Sequence, residues 1–174
     1  GFDANKTFKI SNVITLRSNV EYAGAIGTSV SQSDATKSIF YGTSVVKAKI
    51  HDLKLNFAAY YSGDSVQAIY CSSCSYLEIQ RNEITGTSWD AIRLYSTSYS
   101  YVAFNYIHGH LSSASPAPNG FNADIALHAN SLYNVVEYNT LEGDGVAWIG
   151  IDVQSWVVGP NPQYNLIHKN KINN

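Results

Sequence analysis

One short phrase returns four times along this 174-residue chain: Leu77-Glu-Ile-Gln-Arg-Asn82-Glu-Ile84-Thr-Gly86, Val102-Ala-Phe-Asn105-Tyr-Ile107-His-Gly109, Val136-Glu-Tyr-Asn139-Thr-Leu141-Glu-Gly143 and Ile167-His-Lys-Asn170-Lys-Ile172. In each, an apolar residue stands three before an Asn and another two after it. A weaker fifth copy, Ile50-His-Asp-Leu53-Lys-Leu55, carries Leu53 where the others carry Asn. The pivots at 53, 82, 105, 139 and 170 are 23 to 34 residues apart, the range of solenoid repeats.

Within each copy the apolar residues alternate as they do in strands, and Gly, Ser, Asn and Thr separate the copies; no stretch shows capped helical spacing. A looser phrase runs ahead of the Asn phrase, in which Ala68-Ile69-Tyr-Cys71-Ser matches Ala91-Ile92-Arg-Leu94-Tyr. Each repeat thus supplies at least two short strands joined by tight turns. Such strands bury Ile, Leu and Val best when stacked as a coil, each rung bonded to the next at about 4.8 Å. The expected fold is all-β, a parallel β-helix of about five to six rungs, with residues 1–174 as one domain. Asn82, Asn105, Asn139 and Asn170 are read as structural: Asn tolerates left-handed backbone angles at a bend, and its amide can bond to the Asn above and below.

The phrases Tyr133-Asn-Val-Val-Glu-Tyr-Asn139-Thr-Leu-Glu-Gly143 and Asp90-Ala-Ile-Arg-Leu94, with the opening Thr7-Phe-Lys-Ile-Ser-Asn-Val-Ile-Thr-Leu16-Arg-Ser-Asn-Val20-Glu-Tyr-Ala-Gly24, resemble the right-handed parallel β-helix repeat proteins of the pectin-lyase-like superfamily. That group includes pectin-type lyases, polygalacturonase-like hydrolases, alginate epimerases, phage tailspikes and the matrix-dissolving disaggregatases of methanogens. The resemblance covers nearly the whole chain but consists of scaffold residues, so it implies a right-handed coil strongly and an activity on extracellular polysaccharide only as an expectation.

A formal net charge of -2 gives no basic excess for nucleic acid. No apolar run reaches membrane length. Charged residues are sparse and Ser, Asn, Gly, Thr and Tyr abundant, a surface that suits polyhydroxy ligands and is also what β-helix turns require. With no Met and no capping segment, the chain is expected to be part of a longer polypeptide, its open ends covered by neighbouring sequence or other subunits. Cys71 and Cys74 form Cys-Ser-Ser-Cys, readable as a redox pair, half a zinc site or a local disulfide; Cys71 aligns with Leu94, which favours a small buried core residue.

On a β-helix, sites are built from outward side chains one repeat apart. With Ile92, Leu94, Ile125, Leu127, Ile149 and Ile151 inward, alternation turns Arg93, Asp124 and Asp152 outward, and His128 follows as an outward or turn residue. Acidic groups there would lie about 5 Å apart on successive rungs, or about 7 to 10 Å on a diagonal, which brackets the carboxylate spacings of glycoside hydrolysis. Asp124, Asp152, His128 and Arg93 are therefore the catalytic candidates, the carboxylates raising one another's pKa so that one serves as acid and the other as base. Asp90, Asp124 and Asp144 can equally cap turns through their own backbone, and Asp144-Gly145 is a turn signal.

Two long connections, His108 to Phe121 and Gln154 to Tyr164, fall on the same stretch and would wall the face. Asp90, His108, His110, Asp144, Trp148 and Trp156 are the substrate-binding candidates, the tryptophans by stacking on sugar rings. His108 and His110 with Asp124 or Asp144 do not complete a recognisable metal set, so no metal is assigned; calcium would need three or more oxygen ligands, which Asp90, Asp124 and Asp152 could supply. The expected activity is cleavage of a glycosidic bond in an extracellular polysaccharide, at the cell surface or outside it. Hydrolysis is preferred because elimination needs a base and a cation against a uronate, and Arg93 is the only basic side chain on the face. A lyase is the alternative, and a non-catalytic glycan-binding or structural surface module is the second class.

Overall fold

The computed structural model describes residues 3–58, 66–110, 123–143, 149–155 and 160–173. All of its regular structure is strand, wound in six successive coils of three. The first two coils are β1 (Thr7–Ile10), β2 (Ile14–Thr15), β3 (Glu21–Ala23) and β4 (Ser29–Gln32), β5 (Phe40–Thr43), β6 (Lys49–His51). Next come β7 (Lys54–Phe57), β8 (Ile69–Ser72), β9 (Glu78–Gln80) and β10 (Glu83–Thr85), β11 (Ile92–Tyr95), β12 (Tyr101–Ala103). The last are β13 (Tyr106–His108), β14 (Ala123–His128), β15 (Val135–Glu137) and β16 (Thr140–Glu142), β17 (Ile149–Gln154), β18 (Leu166–His168), followed by β19 (Lys171–Asn173). Every third strand pairs in parallel, giving a first sheet β1-β4-β7-β10-β13-β16-β19, a second β17-β14-β11-β8-β5-β2 and a third β18-β15-β12-β9-β6-β3. This is a parallel β-helix. Among the described residues no helix is long and apolar enough to cross a membrane.

The repeat is three strands per coil rather than two, because the Asn phrase is itself a pair of strands bent at the Asn: Glu78–Gln80 and Glu83–Thr85 flank Arg81 and Asn82. Its apolar residues form two inward columns. Ile50, Ile79, Val102, Val136 and Ile167 are in register in the third sheet, and Leu55, Ile84, Ile107, Leu141 and Ile172 in the first. The second sheet adds Phe40, Ile69, Ile92, Ile125 and Ile151 beside Gly42, Cys71, Leu94 and Leu127. Gly42 stands where its column otherwise carries a larger side chain because Leu16 already fills that space, 3.0 Å from where a Cβ would sit. Cys71 is a buried core residue in register with Leu94, and both Cys71 and Cys74 are free thiols.

The corners follow one rule. A residue with left-handed backbone points outward, and the next points inward, where its side chain accepts the N–H of the coil before. At the corner between the third and first sheets Asn105 Oδ1 accepts from the backbone N (3.0 Å) and Nδ2 (3.1 Å) of Asn82, while Asn139 and Asn170 do the same for Asn105 and Asn139. Each Nδ2 also donates to a carbonyl of the preceding coil, as Asn105 does to Ile79 at 3.0 Å. Where the ladder reaches Leu53, its backbone N donates to Asn82 Oδ1 at 3.2 Å. The left-handed residue is not the Asn, however. It is the residue before: Arg81, Phe104, Tyr138 and Lys169 have φ of 52° to 57°. The expectation that Asn is selected for left-handed backbone is corrected accordingly. An inward, buried amide is what the corner requires, and strain falls on the outward neighbour.

The second-to-third-sheet connection has two further runs of acceptors, Cys74, Thr97 and Ser131, where Ser131 stands two residues after left-handed Ala129, and Ser100, Asn134 and Asn165. Asn105→Ala would strand the two buried donors of Asn82, so it should lower unfolding free energy by about 2 to 4 kcal/mol. Urea denaturation checks this, and a loss under about 0.5 kcal/mol would show that the ladder does not hold the coils together.

Candidate active site

The outward face of the second sheet changes character along the axis. Its middle column reads Tyr41, Tyr70, Arg93, Ala126 and Asp152, and the next reads Thr43, Ser72, Tyr95, His128 and Gln154. One step before the column of Phe40, Ile69, Ile92 and Ile125 stand Ile39, Ala68, Ala91 and Asp124. The lower coils thus complete these positions with apolar residues, tyrosines and hydroxyls, while the upper three coils place ionisable groups there. Alternation sets Asp124, Asp152, His128 and Arg93 on the parity opposite to Ile92, Ile125 and Ile151, but that parity is not exposed here. β14 is buried along its whole length.

Each carboxylate has its own base. Arg93 Nε donates to Asp90 Oδ2, whose other oxygen accepts the N–H of Ala123 at 2.9 Å, and the guanidinium lies 5.8 Å over the Trp89 ring. His110 Nε2 lies 2.7 Å from Asp124 Oδ1, an ion-pair distance though not aligned as a hydrogen bond, and its Nδ1 is 3.0 Å from the buried Thr87 hydroxyl. His128 Nε2 is 2.9 Å from Asp152 Oδ2, which also accepts from the Gln154 amide. The six side chains Asp90, Arg93, His110, Asp124, His128 and Asp152 are all no more than 13% exposed. Burial pushes the Asp90 carboxyl above its ordinary range, against the opposing pull of Arg93, the Ala123 N–H and the charge of His128.

The structure therefore brings Asp90 together with Arg93, Asp124 with His110, and Asp152 with His128. Asp124 and Asp152 are not a contacting pair: Asp152 is in register with Ala126, so the two stand on a diagonal, about 8 Å apart at the backbone from strand rise and spacing. Asp90 does not cap its own turn but bonds across to the next coil. His108 lies away from this face, on the first sheet, stacked on Tyr106 at 4.2 Å with its Nε2 3.2 Å from Glu83. Asp144, Trp148 and Trp156 lie outside the described residues. With each carboxylate held by a different base, Asp90, Asp124 and Asp152 are not gathered as one oxygen cage for calcium, and among the described residues no group of three or more His, Cys, Asp and Glu is arranged to hold a metal.

Sequence reasoning missed Thr87 and Gln154, which carry no motif, and two clusters on the third sheet. In one, His51 bridges Glu21 (2.6 Å) and Asp52 (2.5 Å), and Arg81 grips Asp52 with Nε and Nη2 at 2.7 and 2.8 Å. The Arg81 fork holds the Asp52 carboxyl down to about 2. In the other, Tyr101 donates to Glu137 at 2.7 Å and His168 Nε2 meets its second oxygen at 2.5 Å. The register of the Asn phrase is the signal that would have found both, since it aligns His51 with Gln80, Ala103, Glu137 and His168.

Comparison with known proteins finds no family model, no curated protein and no solved structure that matches the chain. What stands is the class that the strands define, a parallel β-helix with a buried ionisable cluster on one face.

Two outcomes follow from these pairs. Asp124→Ala leaves His110 buried without its partner carboxylate and should cost about 3 to 5 kcal/mol of stability, measured by denaturant titration; an undisturbed midpoint would mean that the pair is not formed. For His51, burial pulls the pKa down, but the hydrogen bonds to Asp52 and Glu21 outweigh it and the net shift is upward. Its stabilising contribution is then complete below the unfolded-state value of about 6.5 and is lost as pH rises through the raised folded value. Unfolding free energy followed from about pH 5 to about pH 9 should fall more in the native protein than in His51→Gln; identical slopes would remove the linkage.

Proposed function

We propose that the outer face of the second sheet, over β11, β14 and β17, binds an extracellular polysaccharide and hydrolyses a glycosidic bond. One observation carries this reading: Arg93, Asp124, His128 and Asp152 are buried on three successive coils at positions that other coils fill with Ile39, Ala68, Ala91, Tyr70 and Ser72, and Asp90 and His110 are buried against them. The fold does not need charge there, and burying it costs free energy that a stabilising role would not repay.

Asp124, with His110 Nε2 2.7 Å from its Oδ1, is assigned as the acid that protonates the leaving oxygen. Asp152, aligned by His128 and Gln154, is assigned as the base that takes a proton from water. Set on a diagonal rather than directly stacked on successive rungs, the two carboxyls leave room for the water that an inverting reaction requires between them. Arg93 with Asp90 beneath it supplies the positive edge that orients the chain. Elimination is the weaker reading because Arg93 is the only cationic side chain among these groups besides the histidines.

The test is a comparison of native protein with Asp124→Asn and Asp152→Asn against a panel of neutral, acidic and amino-sugar polymers. Reducing ends are followed for hydrolysis and ultraviolet absorbance for an unsaturated product. Each variant should retain the fold and lose at least about a hundredfold in turnover, since the amide can neither give nor accept the proton. Full turnover in both variants would remove these residues from the chemistry. An ultraviolet-absorbing product would replace hydrolysis by elimination, and native protein inactive on every polymer would overturn the reading in favour of a non-catalytic module.

A further inference from the structure

The third sheet carries a second surface, and its corners are aromatic. At the corner entering this sheet the outward left-handed residues are, coil by coil, Asn19, Lys47, Tyr76, Tyr99, Tyr133 and Tyr164, with φ of 55° to 61°. The four tyrosines stack directly, with centroids 5.2, 5.1 and 5.0 Å apart and planes within 12° of parallel. At the corner leaving the sheet the corresponding residues are Asp52, Arg81, Phe104, Tyr138 and Lys169; Phe104 and Tyr138 stack at 5.1 Å and Lys169 lies 5.0 Å over the Tyr138 ring. All six rings are 41 to 69% exposed.

Between the two walls runs a floor one short strand wide. Its outward columns are Glu78, Tyr101, Val135 and Leu166, and Gln80, Ala103, Glu137 and His168. Ala103 is fully buried, which leaves a low point in the floor, and beside it Tyr101 donates to Glu137, whose second oxygen lies 2.5 Å from His168 Nε2. The turn does not demand aromatic residues: Asn19 and Lys47 close the same corner lower down, and a bulky side chain with left-handed backbone is disfavoured. Six exposed rings in two facing rows are also more contiguous apolar surface than isolated surface residues explain.

We infer that this trough binds an uncharged, extended polysaccharide lying along the helix axis. Three observations select that occupant. First, the faces of the stacked rings are against one another, so the walls present a periodic row of ring edges and hydroxyls at the rung height; a matching ligand must itself repeat at about that height, as an extended chain of pyranose rings does. Second, the floor offers hydrogen-bonding groups, Gln80, Tyr101, Glu137 and His168, which suit hydroxyls, while the carboxylates of Glu137 and of Glu78, the latter 2.9 Å from Lys49, disfavour a uronate polymer. Third, the backbone donors and acceptors of this sheet are already joined from coil to coil, so an added protein strand has no ladder to extend. The site stands on the third sheet and is independent of the hydrolytic reading of the second.

Binding is read by native gel electrophoresis with hydroxyethyl cellulose in the gel, and by calorimetry with cellohexaose. The deciding variant is Tyr99→Asn/Tyr133→Asn, which removes two rings from the middle of the ladder but installs the residue that Asn19 shows the corner to accept. It should keep its far-ultraviolet circular dichroism and lose about tenfold in affinity per ring removed. Polygalacturonate in place of the neutral polymer should retard neither protein. The inference is overturned if the native protein is not retarded by hydroxyethyl cellulose, if the double variant is retarded equally, or if sedimentation velocity shows a native dimer that the double variant dissolves, since the face would then belong to a second copy of the chain.

Discussion

On either side of the third sheet the backbone turns out of the sheet, and an inward N–H loses the carbonyl that would have met it from the neighbouring rung. A buried donor left in that state costs about 1 to 3 kcal/mol, repeated from coil to coil. The structure answers with side chains that imitate a carbonyl: Asn amides at the corner leaving the third sheet, and Thr, Ser, Cys and Asn oxygens or sulfur on the connection entering it. The length of such a side chain fixes how far the next coil can sit and in which register. The apolar columns, the outward columns and the two aromatic walls are all consequences of that spacing.

The same constraint explains what could be read from the sequence. The Asn and the apolar residues at fixed offsets from it are set by the corner itself, so Ile50, Ile79, Val102, Val136 and Ile167 are legible as one column in the sequence. The left-handed residue was not legible, because Arg81, Phe104, Tyr138 and Lys169 share no chemistry; the corner asks only that the side chain point outward. Parity gave the direction of Asp124 and Asp152 but not their cover or their partners. Parity is a property of the strand, whereas the contact of His110 with Asp124 joins the end of one strand to the start of another across a connection of variable length.

Within the second sheet, function and fold occupy opposite parities of the same strands. Ile92, Ile125 and Ile151 hold the core while Arg93, Asp124 and Asp152 stand on the other side. An ionisable cluster can therefore be changed without touching the column behind it, provided that each buried base keeps its acid. The pairing of Asp90 with Arg93, Asp124 with His110 and Asp152 with His128 means that the cluster changes in twos.

From the second coil onward, the corner from the third sheet to the first has a rigid arithmetic. Two residues separate β6 from β7, β9 from β10, β12 from β13, β15 from β16 and β18 from β19, while the stretch between β7 and β8 is nearly twice that between β10 and β11. Lengthening the Asn corner by one residue would slide every later coil against its ladder; lengthening the connection into the second sheet would leave the ladder untouched. Variation in length is thus channelled to one side of the solenoid, the side that opens onto the ionisable face, so that the scaffold can be inherited unchanged while the rim of that face is rewritten.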